Sequence, residues 1–224
     1  MIKSHPESGL TLSAADVQIT PVGLPGRLEL PSPCVGIVAF AHGSGSSRLS
    51  PRNTRVAAVL RRSGLGTLLF DLLTPDEAED RRNVFDIGLL AQRLLQATAW
   101  LRGHRASSEL PVGYFGASTG AAAALVAAAQ PRSEIAAIVS RGGRPDLAGD
   151  ALGSVRAPTL LIVGGYDTDV LALNRAAAAR LRCEKELVVV PGATHLFEEP
   201  GTLDAAIEHA RRWFVGHFPA RREA

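Results

Sequence analysis

The chain has 224 residues, 46% of them hydrophobic and 21% charged, with a formal net charge of +2 and two cysteines; this composition fits one globular domain with a sizeable core and excludes a disordered or disulfide-stapled chain. Of 24 basic residues 22 are arginine, and their scatter, without blocks of like charge, argues against a nucleic-acid partner. No run approaches about 18 apolar residues, and the opening MIKSHPESGLTL lacks the apolar stretch of a signal peptide, so no membrane association and a cytoplasmic location are expected.

In chain order, residues 1–15 are polar and expected to be loose, ahead of a single domain over 16–219 and a tail at 220–224. Residues 17–20 and 27–30, separated by Pro21, Gly23, Pro25 and Gly26, predict an antiparallel hairpin at a sheet edge. Residues 34–41, CVGIVAFA, form a continuous apolar run, the mark of a strand covered on both faces, and exit into His42-Gly43-Ser44-Gly45-Ser46-Ser47. A helix over 51–63 starts at Pro51 and stops at Gly64, and a strand follows at 66–72. The hydrophilic stretch 74–83 reads as a solvated loop, with a lid over a site as the lesser reading.

A long helix over 84–102 carries an apolar stripe and leads to a strand at 110–115. Residues 121–129 give an alanine-rich helix, 135–139 a strand, 158–163 a strand, 169–181 a helix, 187–190 a strand and 202–218 a helix. Strand and helix alternating from residue 34 onward require right-handed crossovers and a largely parallel sheet covered on both faces. The fold class is therefore α/β.

Chemistry concentrates at strand ends. Gly116, Ser118 and Gly120 spell G-x-S-x-G where a strand turns into a helix, the nucleophile elbow that holds a serine hydroxyl clear of the sheet. A nucleophilic serine needs a base and a group that orients the base. Asp167 stands just beyond the strand 158–163 and His195 just beyond the strand 187–190, in the order that this elbow requires, so Ser118, Asp167 and His195 are read as a catalytic triad. Asp169 and Asp146 are weaker candidates for the acid, Asp169 being better read as a helix-start charge. Glu198 and Glu199 read as first-turn charges near Pro200.

The glycine-serine loop 42–47 has no lysine followed by Ser or Thr and no third glycine where Arg48 stands, so it fits neither a phosphate loop nor a dinucleotide fingerprint. It fits an oxyanion loop, with the backbone N–H of Ser44, or of Gly43 next to it, joining that of Thr119. His42 reads as a hydrogen-bonded scaffold residue. Arg141 and Arg144, with Arg48, are expected near Ser118, where they either favour an anionic substrate or pair with acids such as Asp146 or Glu198. Cys34, Cys183, His104, His209 and His217 show no metal-ligand spacing, and neither metal nor cofactor is called for.

With HGSGSS, GASTG, GGYDTD and PGATHLFEE in fixed order, the chain resembles α/β-hydrolases of the dienelactone hydrolase family over residues 33–218. The resemblance implies an eight-stranded, mostly parallel sheet and hydrolysis of esters or lactones. Dienelactone hydrolases proper carry a cysteine nucleophile, so Ser118 places the resemblance nearer a serine-bearing branch and leaves the substrate open. No segment between strands is long enough for an inserted cap domain. The expected function is a serine carboxylesterase acting on a small-molecule ester. Acyl transfer, thioester or peptide hydrolysis by the same residues, or a non-catalytic binding module on this fold, are the alternatives.

Overall fold

The continuous apolar runs become fully buried strands at the centre of one eight-stranded sheet, in a computed structural model that describes residues 11–218. The strands are β1 (Thr11–Ile19), β2 (Leu24–Ser32), β3 (Gly36–Ala41), β4 (Leu65–Phe70), β5 (Val112–Ala117), β6 (Ile135–Arg141), β7 (Thr159–Gly164) and β8 (Lys185–Val190), arranged β1-β2-β4-β3-β5-β6-β7-β8. From β4 to β8 neighbouring strands are parallel, while β1 and β2 are antiparallel additions at one edge. Every residue of β3, β4, β5 and β7 is buried, as a parallel sheet covered on both faces demands.

Successive residues of a strand point to opposite faces, so the sheet divides the core in two. On one face Val38, Phe40, Phe115 and Val139 pack with α1 (Pro51–Arg62) and α7 (Thr202–His217). On the other, Ile37, Ala39, Tyr114 and Ile138 pack with α4 (Ile87–Gly103), α5 (Thr119–Ala128) and α6 (Thr168–Arg180).

Two expectations are corrected. Residues 11–15 are not loose: they belong to β1, an exposed edge strand held in register by β2 (Thr11 opposite Ser32) rather than by burial. The stretch 74–83 is helical, as α2 (Pro75–Glu79) and α3 (Arg81–Phe85), neither of which buries a residue. A capping box builds α2: Thr74 Oγ1 accepts from Glu77 N–H at 3.2 Å and Glu77 Oε2 from Thr74 N–H at 3.0 Å. The loop after β6 contains a helical segment of 3-10 type over Pro145–Ser154. Residues 1–10 and the tail 220–224 lie outside the described residues.

Candidate active site

β5 turns into α5 at Ser118, whose φ of 50° and ψ of −123° lie in a region that residues with a side chain rarely occupy. The turn is that sharp because helix and strand touch: a Cβ on Gly116 would lie 2.4 Å from Ala121 Cα, and one on Gly120 would lie 2.1 Å from the carbonyl oxygen of Ala41 at the end of β3. Both flanking glycines of the motif are therefore required by backbone contact.

His195, the expected base, stands on the loop after β8. His195 Nδ1–H donates to Asp167 Oδ2 at 2.6 Å, the donor being fixed by chemistry since a carboxylate only accepts. Asp167 occupies the cap position of α6 yet makes no cap hydrogen bond, because its carboxylate is turned to the imidazole. Asp169 sits in the first helical turn, and Asp146 is held by Arg144. The His195 loop is locked from below by Phe197, a fully buried side chain on a backbone with φ of 56°. Thr194 closes the loop by giving both its N–H (3.1 Å) and its hydroxyl (2.6 Å) to the carboxylate of Glu199, which that hydroxyl holds below the usual carboxylate range. Glu199 is thus a loop clasp rather than a first-turn charge of α7.

The loop after β3 lies against Ser118: a Cβ on Gly43 would stand 2.9 Å from Ser118 Cβ. Ser44 and Thr119 are brought together, but not as two open donors, since Ser44 N–H already donates to Thr119 Oγ1 at 3.1 Å. His42 is a scaffold residue. Its Nε2 accepts from Leu72 N–H at 3.1 Å, which leaves Nδ1–H to donate to the Gly43 carbonyl at 3.0 Å, tying the exits of β3 and β4 together. Burial holds its pKa below the ordinary histidine value.

The arginines do not form an open positive mouth. Arg144 is paired through two hydrogen bonds with Asp146 (2.9 and 2.8 Å), and its N–H donates to the Ser118 carbonyl at 3.0 Å. The Arg48 guanidinium and backbone N–H both bind Asp71. Arg52 pairs with Glu198 at 3.1 Å. Arg141 alone of the expected pair has no hydrogen-bonded acid among the described residues, but it is only 8% exposed. Its Nε and Nη1 are buried without partners, and the guanidinium stacks 5.8 Å from the Phe197 ring centroid. Burial, with the Arg52 charge second, brings its pKa down to about 10. The sequence missed Phe197 and the wall formed by α2 and α3; the Thr-Pro-Asp-Glu capping box was the legible signal for α2.

Beside Thr119 a cavity of about 280 Å³ opens between the loop after β3, the exit of β4 and α2, lined by apolar groups that include Leu72, Leu73, Val84 and Leu90. Among the described residues no group of three or more His, Cys, Asp or Glu is placed to hold a metal ion, and no helix is long and apolar enough to cross a membrane.

No family model matches the chain. A solved structure of dienelactone hydrolase from Anabaena variabilis is 54% identical, with a TM-score of 0.89 covering 94% of this chain and 99% of that one. The structure of Est1E from Butyrivibrio proteoclasticus superposes with a TM-score of 0.75 at 16% identity, covering 91% of this chain and 98% of that one. Two curated proteins of Mycobacterium tuberculosis, provisionally named phosphoribosyl transferase, are 59% identical over 94% of this chain, which spans 50% of their length.

Proposed function

The chain belongs to the dienelactone hydrolase family of α/β-hydrolases, and on that premise we propose that it is a serine hydrolase of carboxylic esters acting through Ser118, His195 and Asp167. The observation that carries the reading is the 2.6 Å bond between His195 Nδ1 and Asp167 Oδ2, made by two strand-end loops on the same sheet edge as the strained Ser118. An imidazole whose Nδ1–H is held by a carboxylate has its Nε2 lone pair available for a proton.

In this reading His195 Nε2 takes the hydroxyl proton as Ser118 Oγ bonds to the ester carbonyl carbon. Negative charge collects on the carbonyl oxygen, which the Thr119 N–H receives; the Ser44 N–H joins it once the Thr119 hydroxyl turns away. The carbon–oxygen bond to the alcohol then breaks, the alcohol leaving with the proton from His195. Water repeats the sequence on the acyl-enzyme and releases the acid. Each oxyanion donor contributes about 2.7–4 kcal/mol where one has been removed from a comparable site.

The name phosphoribosyl transferase belongs to proteins about twice this chain's span, and the residues assembled here support acyl chemistry instead. A fluorophosphonate probe tests the proposal. The wild-type protein is expected to be labelled and Ser118→Ala not; a folded wild-type protein that resists labelling and turns over no p-nitrophenyl ester overturns it.

A further inference from the structure

We propose that the cavity beside Thr119 takes the acyl half of the substrate, and that this acyl group is uncharged, apolar and compact. The inference rests on the serine hydrolase reading and adds to it a substrate class.

The side of the nucleophile decides which half of an ester enters. The loops after β6, β7 and β8 surround His195: Asp167 bonds it, and a Cβ on Gly142 would lie 3.7 Å from its Nδ1. The alcohol oxygen must receive its proton from His195, so the alcohol half faces that side. With the carbonyl oxygen turned to Thr119 N–H, the acyl chain is directed to the opposite side, over the exits of β3 and β4. The cavity lies there, and Thr119 is part of its wall.

Its chemistry then sets the class. Among the described residues Asp71 is the one charged side chain lining it, and its carboxylate is already taken by Arg48. His42 spends both ring nitrogens on backbone partners. A carboxylate on the acyl chain would give up its hydration among Leu72, Leu73, Val84 and Leu90 and meet Asp71 rather than a cation, which is costly. The arginines offer no remedy, since Arg144 is paired and Arg141 is buried. A volume of about 280 Å³ at about 30 Å³ per water-sized group holds roughly nine such groups, enough for an acyl chain of up to about nine carbons.

The test compares p-nitrophenyl hexanoate with the mono-p-nitrophenyl ester of hexanedioic acid, equal in length and differing in one carboxylate. We expect kcat/KM at least tenfold higher for the neutral ester, at roughly 0.01 M and at roughly 0.5 M salt alike; equal rates or an anionic preference overturn the proposal. Ala78→Phe on the exposed helix α2 should lower the hexanoate-to-acetate ratio of kcat/KM at least fivefold, and an unchanged ratio counts against the cavity.

A binding measurement separates this proposal from the catalytic one. In Ser118→Ala, hexanamide should shift the methyl NMR signals of Leu73 and Leu90 while the carboxylate-bearing adipic monoamide does not. Such shifts, alongside a wild-type protein that hydrolyses no ester, would leave the cavity standing and remove the hydrolase. Turnover without such shifts would do the reverse.

Discussion

The two sides of Ser118 are built differently. On the base side, His195 is held by a buried aromatic on a strained backbone, by a carboxylate withdrawn from its own helix cap, and by a clasp to Glu199. On the cavity side, α2 and α3 bury no residue and are held by polar contacts that converge on Glu77: the Thr74 capping box, the Arg93 guanidinium, and Asn83 Nδ2 on its carbonyl at 2.9 Å. Machinery fixed by packing tolerates little change, whereas a wall fixed by partly buried polar contacts outside the core can be reshaped without disturbing that core. Substitutions on the base side should therefore abolish reaction, and those on the cavity side should redistribute it among substrates.

The largest expected effect is that of Ser118→Ala, a loss of ester turnover of about 10⁴-fold or more with an unchanged melting temperature. Because triad members act as a unit, adding His195→Ala should cost little further; steady-state kinetics showing multiplied losses would separate the two residues. Asp167→Asn should lower kcat by about 10⁴-fold by offering His195 Nδ1 a donor as well as an acceptor. Phe197→Ala should cost about 3–5 kcal/mol in urea unfolding and lower kcat with it. A Phe197→Ala protein that unfolds like wild type would show the base side to be no more packed than the wall.

A pH effect belongs to the hinge between the two sides. His42 has a folded pKa depressed by burial, so below its ordinary value of about 6.5 the unfolded chain binds a proton that the folded chain refuses. Its contribution to stability is present above that value and is lost as pH falls from there towards the folded pKa. The urea midpoint should fall across that window, and His42→Gln, while less stable at pH 8, should show a shallower fall; an identical slope would assign it to other groups. The smallest effect is expected for Glu77→Gln, which keeps the capping acceptors but loses the charge facing Arg93. About 0.5–1 kcal/mol should appear as a raised KM for hexanoate with kcat nearly unchanged.

What could be read from the sequence follows the same division. β3, β5 and β7 were legible because strands covered on both faces are continuous apolar runs; Asp167 was legible from its place just beyond β7, and His195 from the loop that follows the apolar stretch 187–190 of β8, although that edge strand is largely exposed. The helices α2 and α3 were not, since five residues are too few for a hydrophobic period to show. The fate of the arginines was only half legible: Asp146 lies two residues from Arg144, but the Arg48 pairing with Asp71 spans 23 positions and depends on two strands lying side by side. That Ser44 N–H would already be donated to Thr119, 75 positions away, depends on loop conformation, which no pattern of residue types encodes.

The contact at Gly120 has a further consequence. A Cβ there would meet the carbonyl oxygens of both Ala41 and His42, at 2.1 and 2.5 Å, so main chain rests on main chain where α5 crosses the exit of β3. The separation between Ser118 and the loop after β3 is thereby gauged by the dimensions of the peptide unit and not by any side chain. Substitutions elsewhere can alter what is admitted and how firmly it is held without altering that gauge. A fold with such a joint can change its diet while keeping its reaction, and Gly120 is the position at which even one added methyl would force the two apart.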